Sequence, residues 1–167
     1  IPNIVNPLFF KLPNKSNSHS QKTRFISIGN LNENKGHLLL LEAFSRVSYN
    51  NSNVSLKICG EGEEKDKILS KINELKLQKN VELLGHLSPA KIYDKLITSD
   101  CLVHSSYFET FGVVLIEALS TGIPFISTKC GGPEDIYEES FGYMVDKGDV
   151  KGLSDSMLKF IKNKKRF

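Results

Sequence analysis

The chain has 167 residues, of which 40% are hydrophobic and 25% charged, a composition that fits one compact domain and argues against a disordered chain. Lysine and arginine outnumber aspartate and glutamate by 22 to 19, a net charge of +3, which is too small to indicate a nucleic-acid-binding surface. The three cysteines include no Cys-x-x-Cys pair, so neither a disulfide framework nor a zinc ribbon is indicated, and a reducing compartment is favoured.

Residues 1–23 precede the first predicted strand. The segment KLPNKSNSHSQKT at positions 11–23 has almost no apolar side chains and several turn formers, so we interpret it as a polar loop. We therefore divide the chain into a leading linker, residues 1–23, and one domain, residues 24–167. The opening IPNIVNPLFF lacks the features of a signal peptide, and no apolar run approaches the ~20 residues that span a bilayer. We expect a soluble, cytoplasmic protein.

Five runs of β-branched and apolar residues are each about as long as a buried strand. They cover residues 24–28, 54–58, 80–83, 101–103 and 124–127. Helical patterns separate them, at 40–47, 68–75, from Ser88–Pro89, over 111–120, from Pro133 and over 149–162. This alternation predicts an α/β fold, a doubly wound, Rossmann-like parallel sheet with helices on both faces.

A glycine-containing segment follows each predicted strand. These segments are GNLNENKG at 29–36, GEG at 60–62, Gly85, HSSYFETFG at 104–112 and CGGPE at 130–134. In such a sheet, ligands bind outside the carboxyl ends of the strands, near the point where the strand order reverses. Because glycine lets a backbone turn tightly or approach a ligand, we predict a binding site along this edge.

The segment ETFGVVLIE, residues 109–117, places two carboxylates around a predicted helix. We expect this helix to be buried on most sides, because residues 111–119 are almost uniformly apolar. Glu117 then needs hydrogen-bond donors, which either a ribose or a lysine or backbone amides of the protein would supply. Glu109 is either a first-turn carboxylate favoured by the helix dipole or a ligand-binding group.

The spacing of the two carboxylates suggests a ligand. Eight helical residues would set them roughly 12 Å apart, with the free amides of Phe111, Gly112 and Val113 near one end. Free amides at a helix start bind phosphate. A nucleotide diphosphate sugar, with hydroxyls, a diphosphate and a ribose in that order, matches this arrangement.

Several ordered motifs carry a family resemblance. They are GNLNENKG–LLLLEAF, ICGEGEEKDKI, NVELLGHLS, YFETFGVVLIEALSTGIPFIST with its Glu-x7-Glu spacing, and GGPEDI. Together they resemble the donor-binding, C-terminal half of a retaining glycosyltransferase of family 4, which has the GT-B fold. The resemblance extends over about residues 24–165, and IPNIVNPLFF resembles the interdomain linker that enters this half. The acceptor-binding half would precede it.

The resemblance implies roles for individual residues. Glu109 would contact hydroxyls of the transferred sugar, and Glu117 would contact the ribose. Lys35 would contact the diphosphate and stabilise charge on the departing nucleotide, although its position fits an exposed loop equally well. The amides of residues 111–113 would hold sugar and diphosphate. We therefore predict Glu109 and Lys35 as catalytic residues, with no metal and no cofactor.

Four glycines are also predicted to bind the donor. Gly60 and Gly62 match the turn that lets the backbone pass close to it, although a plain tight turn explains them nearly as well. Gly131 and Gly132 would allow close approach at another helix start, and a simple proline-initiated helix is the alternative.

Four further residues complete the predicted site. Leu84 and Gly85 fall where the family reads the base, largely through main-chain groups. His104 ends a strand at the same edge, either as a donor to phosphate or sugar or as a hydrogen-bonded structural histidine. Asn30 stands where the family usually has an arginine, and its carboxamide carries no charge to grip a diphosphate.

The implied reaction transfers a sugar from a nucleotide diphosphate sugar to an acceptor hydroxyl with the anomeric configuration kept. We expect donor binding but little or no transfer, because the half that would bind a glycan or lipid-linked acceptor is absent. Two alternatives stay open, a non-catalytic sugar-nucleotide-binding module and a sugar-nucleotide epimerase or phosphorylase of similar fold. The basic end KFIKNKKRF is typical of a solvated helix end, and it also fits peripheral association of the full-length protein with the inner membrane surface.

Overall fold

The computed structural model describes residues 5–10 and 22–167. In this part of the chain six parallel strands form one sheet in the order β3–β2–β1–β4–β5–β6. The strands are β1 Thr23–Ile28, β2 Val54–Cys59, β3 Val81–Gly85, β4 Cys101–His104, β5 Phe125–Lys129 and β6 Gly142–Asp146. The predicted Rossmann-like α/β sheet is confirmed.

Helices cover both faces of the sheet. They are α1 His37–Tyr49, α2 Lys65–Glu74, α3 Pro89–Ile97, α4 Val113–Ser120, α5 Gly132–Ile136 and α6 Val150–Asn163, with 3-10 turns at Pro7–Phe10, Glu33–Lys35 and Lys164–Arg166. Successive strand residues point to opposite faces. Phe25 packs in the core that contains α1, α2 and α6 residues, whereas Ile26 packs in the core that contains α3 and α4 residues. None of the helices in residues 5–10 and 22–167 is long and apolar enough to cross a bilayer.

The predicted start of the helix over residues 111–120 is wrong, because α4 begins at Val113. Gly112 has a φ of 70°, which is a left-handed conformation outside the helical region. The expectation that this helix is buried on most sides is met only in part. Leu115 and Ala118 of α4 are buried, its other apolar residues are partly buried against the same core, and the preceding Phe111 is 47% exposed. The 12 Å spacing assumed a continuous helix from Glu109, so it does not describe the site.

Other differences concern the sheet. Residues 142–146 form β6, which the sequence patterns did not predict, because its short apolar run starts with a glycine and follows the polar segment EES. The third strand begins at Val81 and extends to Gly85, past the predicted end at Leu83. Gly85 continues the ladder, because it pairs with Cys59 of β2 after a shift in register that skips Leu84.

The structure describes only part of the predicted linker, residues 1–23. Residues 1–4 and 11–21 lie outside the described residues. Phe9 in the Pro7–Phe10 turn is 1% exposed, and its ring meets that of Tyr93 edge-on at a centroid distance of 6.1 Å. Residues 5–10 therefore pack against the face that carries α3 and α4. The division at residue 23 stays a prediction.

An ionic cluster joins the opposite, amino-terminal edge of the sheet to the end of α6. The Asp100 carboxylate accepts hydrogen bonds from the Arg24 main-chain nitrogen at 2.7 Å and from its guanidinium at 3.1 Å. Lys164 Nζ lies 3.1 Å from the same carboxylate. Burial alone would raise the pKa of Asp100, but these donors hold it below its ordinary value. The cluster fixes the chain end beside the sheet, away from the predicted site.

Candidate functional site

Lys35 and Glu109 meet where the order of the strands reverses. Lys35 follows β1 in the Glu33–Lys35 turn, and Glu109 follows β4, the strand next to β1. The loops after these two strands flank the switch point of the sheet. The Lys35 ammonium donates to Glu109 Oε2 at 2.7 Å, and the two side chains are 22% and 18% exposed. The structure therefore brings together the two residues predicted to be catalytic.

Backbone contacts hold these two loops against each other. The Tyr107 amide donates to the Asn34 carbonyl at 2.8 Å, and the Asn34 carboxamide donates to the Phe108 carbonyl at 2.8 Å. Ser105 Oγ donates to the Lys35 carbonyl at 2.9 Å. Asn34 and Ser105 were not singled out from the sequence, because only the folded chain shows that the segments after β1 and β4 are in contact.

The main chain of Glu109 is tied to the segment after β5. Its amide donates to the Cys130 carbonyl at 2.8 Å, and its carbonyl accepts from the Gly132 amide at 2.7 Å. A Cβ at Gly132 would lie 2.6 Å from the Phe111 nitrogen, and one at Gly131 would lie 2.5 Å from the Glu109 carbonyl oxygen. Both glycines thus permit close approach of the Glu109 segment itself.

Glu134 fixes the same segment from the other side. Its carboxylate accepts hydrogen bonds from the amides of Cys130 and Gly131, both at 3.0 Å. These bonds are the half of a capping box that a glutamate at the third helical position supplies. The proline-initiated helix that the sequence left open is therefore present, whether or not Gly131 and Gly132 also contact a ligand.

The surroundings of Glu109 favour its charged form. Burial alone would raise the pKa of this carboxyl, but the Lys35 ammonium and the amides of Gly112 and Phe111 hold it below its ordinary value. The Phe111 nitrogen lies 3.5 Å from Oε1. The cation and amides predicted to receive a diphosphate sugar thus face the Glu109 carboxylate.

Glu117 has the opposite surroundings. It is half-buried in α4, and burial raises the pKa of its carboxyl above the ordinary value. No cation of the described residues forms an ion pair with it. The alternative that a lysine satisfies this carboxylate is therefore not realised in the part of the chain that the structure describes.

His104, at the end of β4, is buried below the ion pair. Its side chain is 4% exposed, and Nε2 lies 3.8 Å from Glu109 Oε2. Nε2 has no hydrogen-bond partner among the described residues. Burial and the nearby Lys35 charge lower the pKa of His104 to about 4, so the ring is neutral at pH 7. The alternative of a fully hydrogen-bonded structural histidine does not describe this nitrogen.

His37 is a second buried histidine, which the sequence analysis did not single out. It begins α1, two residues after Lys35, and it is 1% exposed. Burial lowers the pKa of this ring also to about 4. A histidine at a helix start carries no sequence signal of burial, so only the packing could show it.

The remaining predicted residues extend along the edge toward β3. Gly60 and Gly62 have φ values of 152° and 158°, and a Cβ at either would clash with the carbonyls of Gly29 and Leu31. The Gly60 amide donates to the Gly85 carbonyl at 2.9 Å. Their close approach thus joins the loops after β1, β2 and β3.

Asn30 and Leu84 lie in the same row of loops. Asn30 is exposed in the loop after β1, and Leu84 is partly buried in β3.

Cys59, Cys101 and Cys130 are free and buried, and burial raises the pKa of the Cys59 thiol to about 11. In residues 5–10 and 22–167, no three His, Cys, Asp or Glu side chains are grouped to hold a metal ion.

The family model described as glycosyl transferases group 1 matches residues 9–166. The chain belongs to this family. Among group 1 relatives, the uncharacterized glycosyltransferase MJ1059 of Methanocaldococcus jannaschii is 46% identical over 114 residues, which are 67% of this chain and 27% of that protein. The N-acetyl-alpha-D-glucosaminyl L-malate synthase of Bacillus anthracis is 31% identical over 147 residues, which are 87% of this chain and 38% of that enzyme.

A solved structure shares the fold. A variant of S. aureus TarM in complex with fondaparinux, alpha-GlcNAc-glycerol and UDP has a TM-score of 0.83 and 26% sequence identity, covering 93% of this chain and 32% of TarM. The chain thus spans only about a quarter to two fifths of the length of these glycosyltransferases.

Proposed function

We propose that this chain binds a nucleotide diphosphate sugar and forms the donor half of a retaining glycosyltransferase of family 4. One observation carries the proposal. Lys35 and the amides before α4 converge on Glu109 at the switch point of a Rossmann-like sheet. A fixed cation and free amides beside a carboxylate suit a ligand that joins a charged diphosphate to a hydroxyl-rich sugar. The similar TarM structure, which contains UDP, supports this ligand class.

Each carboxylate has its own role in the proposal. Lys35 turns from Glu109 to the donor diphosphate, and Glu109 accepts hydrogen bonds from hydroxyls of the transferred sugar. Glu117 accepts from the ribose, because ribose hydroxyls supply the donors that this half-buried group lacks. Asn30 contributes no charge, so Lys35 is the cation on which diphosphate binding depends.

The rest of the proposed site extends along the loops. Gly60 and Gly62 bring the backbone after β2 beside the donor, and Leu84 and Gly85 lie beside the base. Val113, with Phe111 and Gly112, provides main-chain amides for sugar and phosphate.

The proposed transfer needs no enzyme carboxylate as a base. The bond from the anomeric carbon to the diphosphate oxygen breaks, and the acceptor oxygen bonds to that carbon on the same face. The acceptor proton passes to a donor phosphate oxygen. Lys35 stabilises the charge that develops on the departing diphosphate. Positioning of the acceptor and exclusion of water depend on an acceptor half, so this chain alone binds donor with little transfer.

The proposal also includes a class of acceptor and a cellular location. A glycan or lipid-linked acceptor bound by the other half is consistent with relatives such as the phosphatidylinositol N-acetylglucosaminyltransferase GPI3 subunit of Saccharomyces cerevisiae, 29% identical over 166 residues. A cytoplasmic location, with peripheral contact of the full-length protein at the inner membrane surface, fits such an acceptor.

Calorimetry on this chain tests the proposed donor site. Titration with UDP, GDP, ADP and their sugars should show binding of one nucleotide series, and UDP-N-acetylglucosamine is the first choice because several relatives are named for N-acetylglucosaminyl transfer. Ligand at 100 times its Kd should stabilise the fold by about 2.7 kcal/mol. The double variant Glu109→Ala/Glu117→Ala should lose this binding, whereas Glu138→Ala/Glu139→Ala, at two exposed acidic positions, should retain it.

Two results would overturn the proposal. The first is the absence of binding by every nucleotide and nucleotide sugar, and the second is unchanged affinity in the variant at residues 109 and 117. Epimerised sugar nucleotide in the absence of acceptor would favour an epimerase instead. Phosphate-dependent release of sugar phosphate from a glycoside by the longer protein would favour a phosphorylase.

A further inference from the structure

The Nε2 nitrogen of His104, which has no hydrogen-bond partner among the described residues, lies near the Glu109 carboxylate. Nε2 is buried and has no partner in the described residues, and it lies 3.8 Å from Glu109 Oε2. This separation is about 1 Å longer than an N–H···O hydrogen bond. Buried polar atoms are normally paired, and a movement of about 1 Å would bring His104 Nε2 within hydrogen-bond distance of Glu109.

Lys35 is the group that binds the Glu109 carboxylate in the structure. Its ammonium donates to Oε2 at 2.7 Å, the same oxygen that faces His104. When Lys35 turns to a donor diphosphate, Oε2 loses this bond. Glu109 then needs a second donor to keep the orientation in which it faces the sugar.

We propose that His104 is a positioning residue, which hydrogen-bonds to Glu109 when Lys35 leaves this carboxylate and binds the diphosphate. The inference rests on the proposed donor-binding function. In the tautomer with hydrogen on Nε2, the ring donates to Glu109 Oε2, and no proton leaves the ring. His104 thereby acts on the sugar only through Glu109.

The charges around His104 suit this exchange. The groups that face its ring are Lys35 from the loop after β1, Glu109 from the loop after β4 and His37 at the start of α1. A neutral ring does not repel the Lys35 ammonium while both lie near Glu109, and it still donates one hydrogen bond. A permanent cation at residue 104 would instead repel the Lys35 ammonium and compete with it for Glu109.

The first test needs no nucleotide. In the variant Lys35→Met, Glu109 has lost its ammonium, so His104 should bond to it in the free protein. Nitrogen-15 NMR of the histidine rings should then show an Nε2–H proton of His104 that is protected from exchange, and His104→Gln in the same background identifies the signal. A His104 ring without a protected Nε2–H in Lys35→Met would overturn the inference, whatever the chain binds.

The second test separates sugar from nucleotide. His104→Asn is too short to reach Glu109, whereas the longer Gln at this position places an amide N–H near the site of Nε2. We expect His104→Asn to weaken UDP-N-acetylglucosamine binding about fivefold while UDP affinity changes less than twofold, and His104→Gln to restore sugar-nucleotide affinity. Urea unfolding of both variants checks that they fold equally well.

The outcomes of the second test are distinct. Equal weakening of UDP and UDP-N-acetylglucosamine would mark a merely structural role for His104, as would equal losses in the Asn and Gln variants. Unchanged binding of both ligands in His104→Asn would also overturn the inference. Absence of binding of every nucleotide and nucleotide sugar to the unmodified chain would instead overturn the proposed function, and the NMR test would still decide the His104–Glu109 contact.

Discussion

Glu109 and Glu117, eight residues apart, lie on either side of the start of α4, and among the described residues a cation pairs with Glu109 but not with Glu117. Lys35 and two amides lower the pKa of Glu109 against the effect of burial, whereas burial raises the pKa of Glu117. The two acidic positions are therefore suited to different contacts, one to a site already rich in positive charge and one to neutral hydroxyl donors.

Replacement of Lys35 should weaken nucleotide binding. For Lys35→Met we expect the affinity for UDP to fall about tenfold or more, because a hydrogen bond to a charged group contributes about 1.5–3 kcal/mol. Calorimetry measures the change. Lys151→Met is a matched control, since Lys151 is an exposed residue of α6 that pairs with Asp155. A Lys35→Met affinity within twofold of the unmodified chain would contradict the assigned diphosphate contact.

Glu117 should distinguish a ribose from a deoxyribose. We expect Glu117→Gln to weaken UDP binding about fivefold, because a carboxylate is a stronger acceptor for hydroxyls than a carboxamide. The same substitution should have a much smaller effect on a nucleotide whose ribose hydroxyls are missing, such as the 2′,3′-dideoxy analogue. Equal losses for both nucleotides would place Glu117 away from the ribose.

Gly132 should be intolerant of a side chain. Its added Cβ would lie 2.6 Å from the Phe111 nitrogen, in rigid backbone. We expect Gly132→Ala to lower the free energy of unfolding by about 1–3 kcal/mol, measured by urea denaturation. Gly29→Ala is the control, because the atoms nearest to a Cβ there belong to the flexible Lys35 side chain, at an ordinary contact distance of 3.5 Å. Similar losses in both variants would show that the contact at Phe111 is not the cause.

The buried histidines predict a loss of stability in acid. The pKa values of His37 and His104 are about 4 in the fold, below the ordinary value near 6.5 of the unfolded chain. The unfolded chain therefore binds more protons as pH falls from about 6.5 to about 4, and the free energy of unfolding decreases over that range. At about pH 5 the expected loss is roughly 2 kcal/mol for each ring.

Urea unfolding at about pH 7 and about pH 5 measures this loss. His104→Gln should remove its share of the difference, because a carboxamide does not titrate. An unchanged midpoint of the unmodified chain at the two pH values would contradict the neutral, buried state of both rings.

The fold was predictable because the sheet is buried on both faces. Buried parallel strands are short apolar runs, and five of them were evident between helical patterns. β6 was missed because Gly142 and a preceding polar segment obscure its pattern. The start of α4 was misplaced because apolar residues continue through Phe111, and the left-handed φ of Gly112 that ends the loop is a property of the folded backbone.

The sequence identified candidate residues for the site but not the contacts between them. The residue motifs pointed to Lys35 and Glu109, but no local pattern shows a contact between residues separated by 74 positions. His37 is buried at the start of α1, and His104 Nε2, at the end of β4, has no partner among the described residues. Both features depend on how α1 packs against the segment after β4. Such contacts arise from tertiary packing, which the spacing of residues along the sequence does not specify.

Hydrogen bonds from Gly132 and to Cys130 immobilise the peptide groups of Glu109. Its carboxylate can nevertheless exchange Lys35 for another donor by rotation about side-chain bonds. Rotamer changes take picoseconds to nanoseconds, whereas loop rearrangements extend to microseconds. Ligand entry therefore requires no slow preparatory step at this position, and the association rate constant for a nucleotide should be set by diffusion and its electrostatic attraction to Lys35.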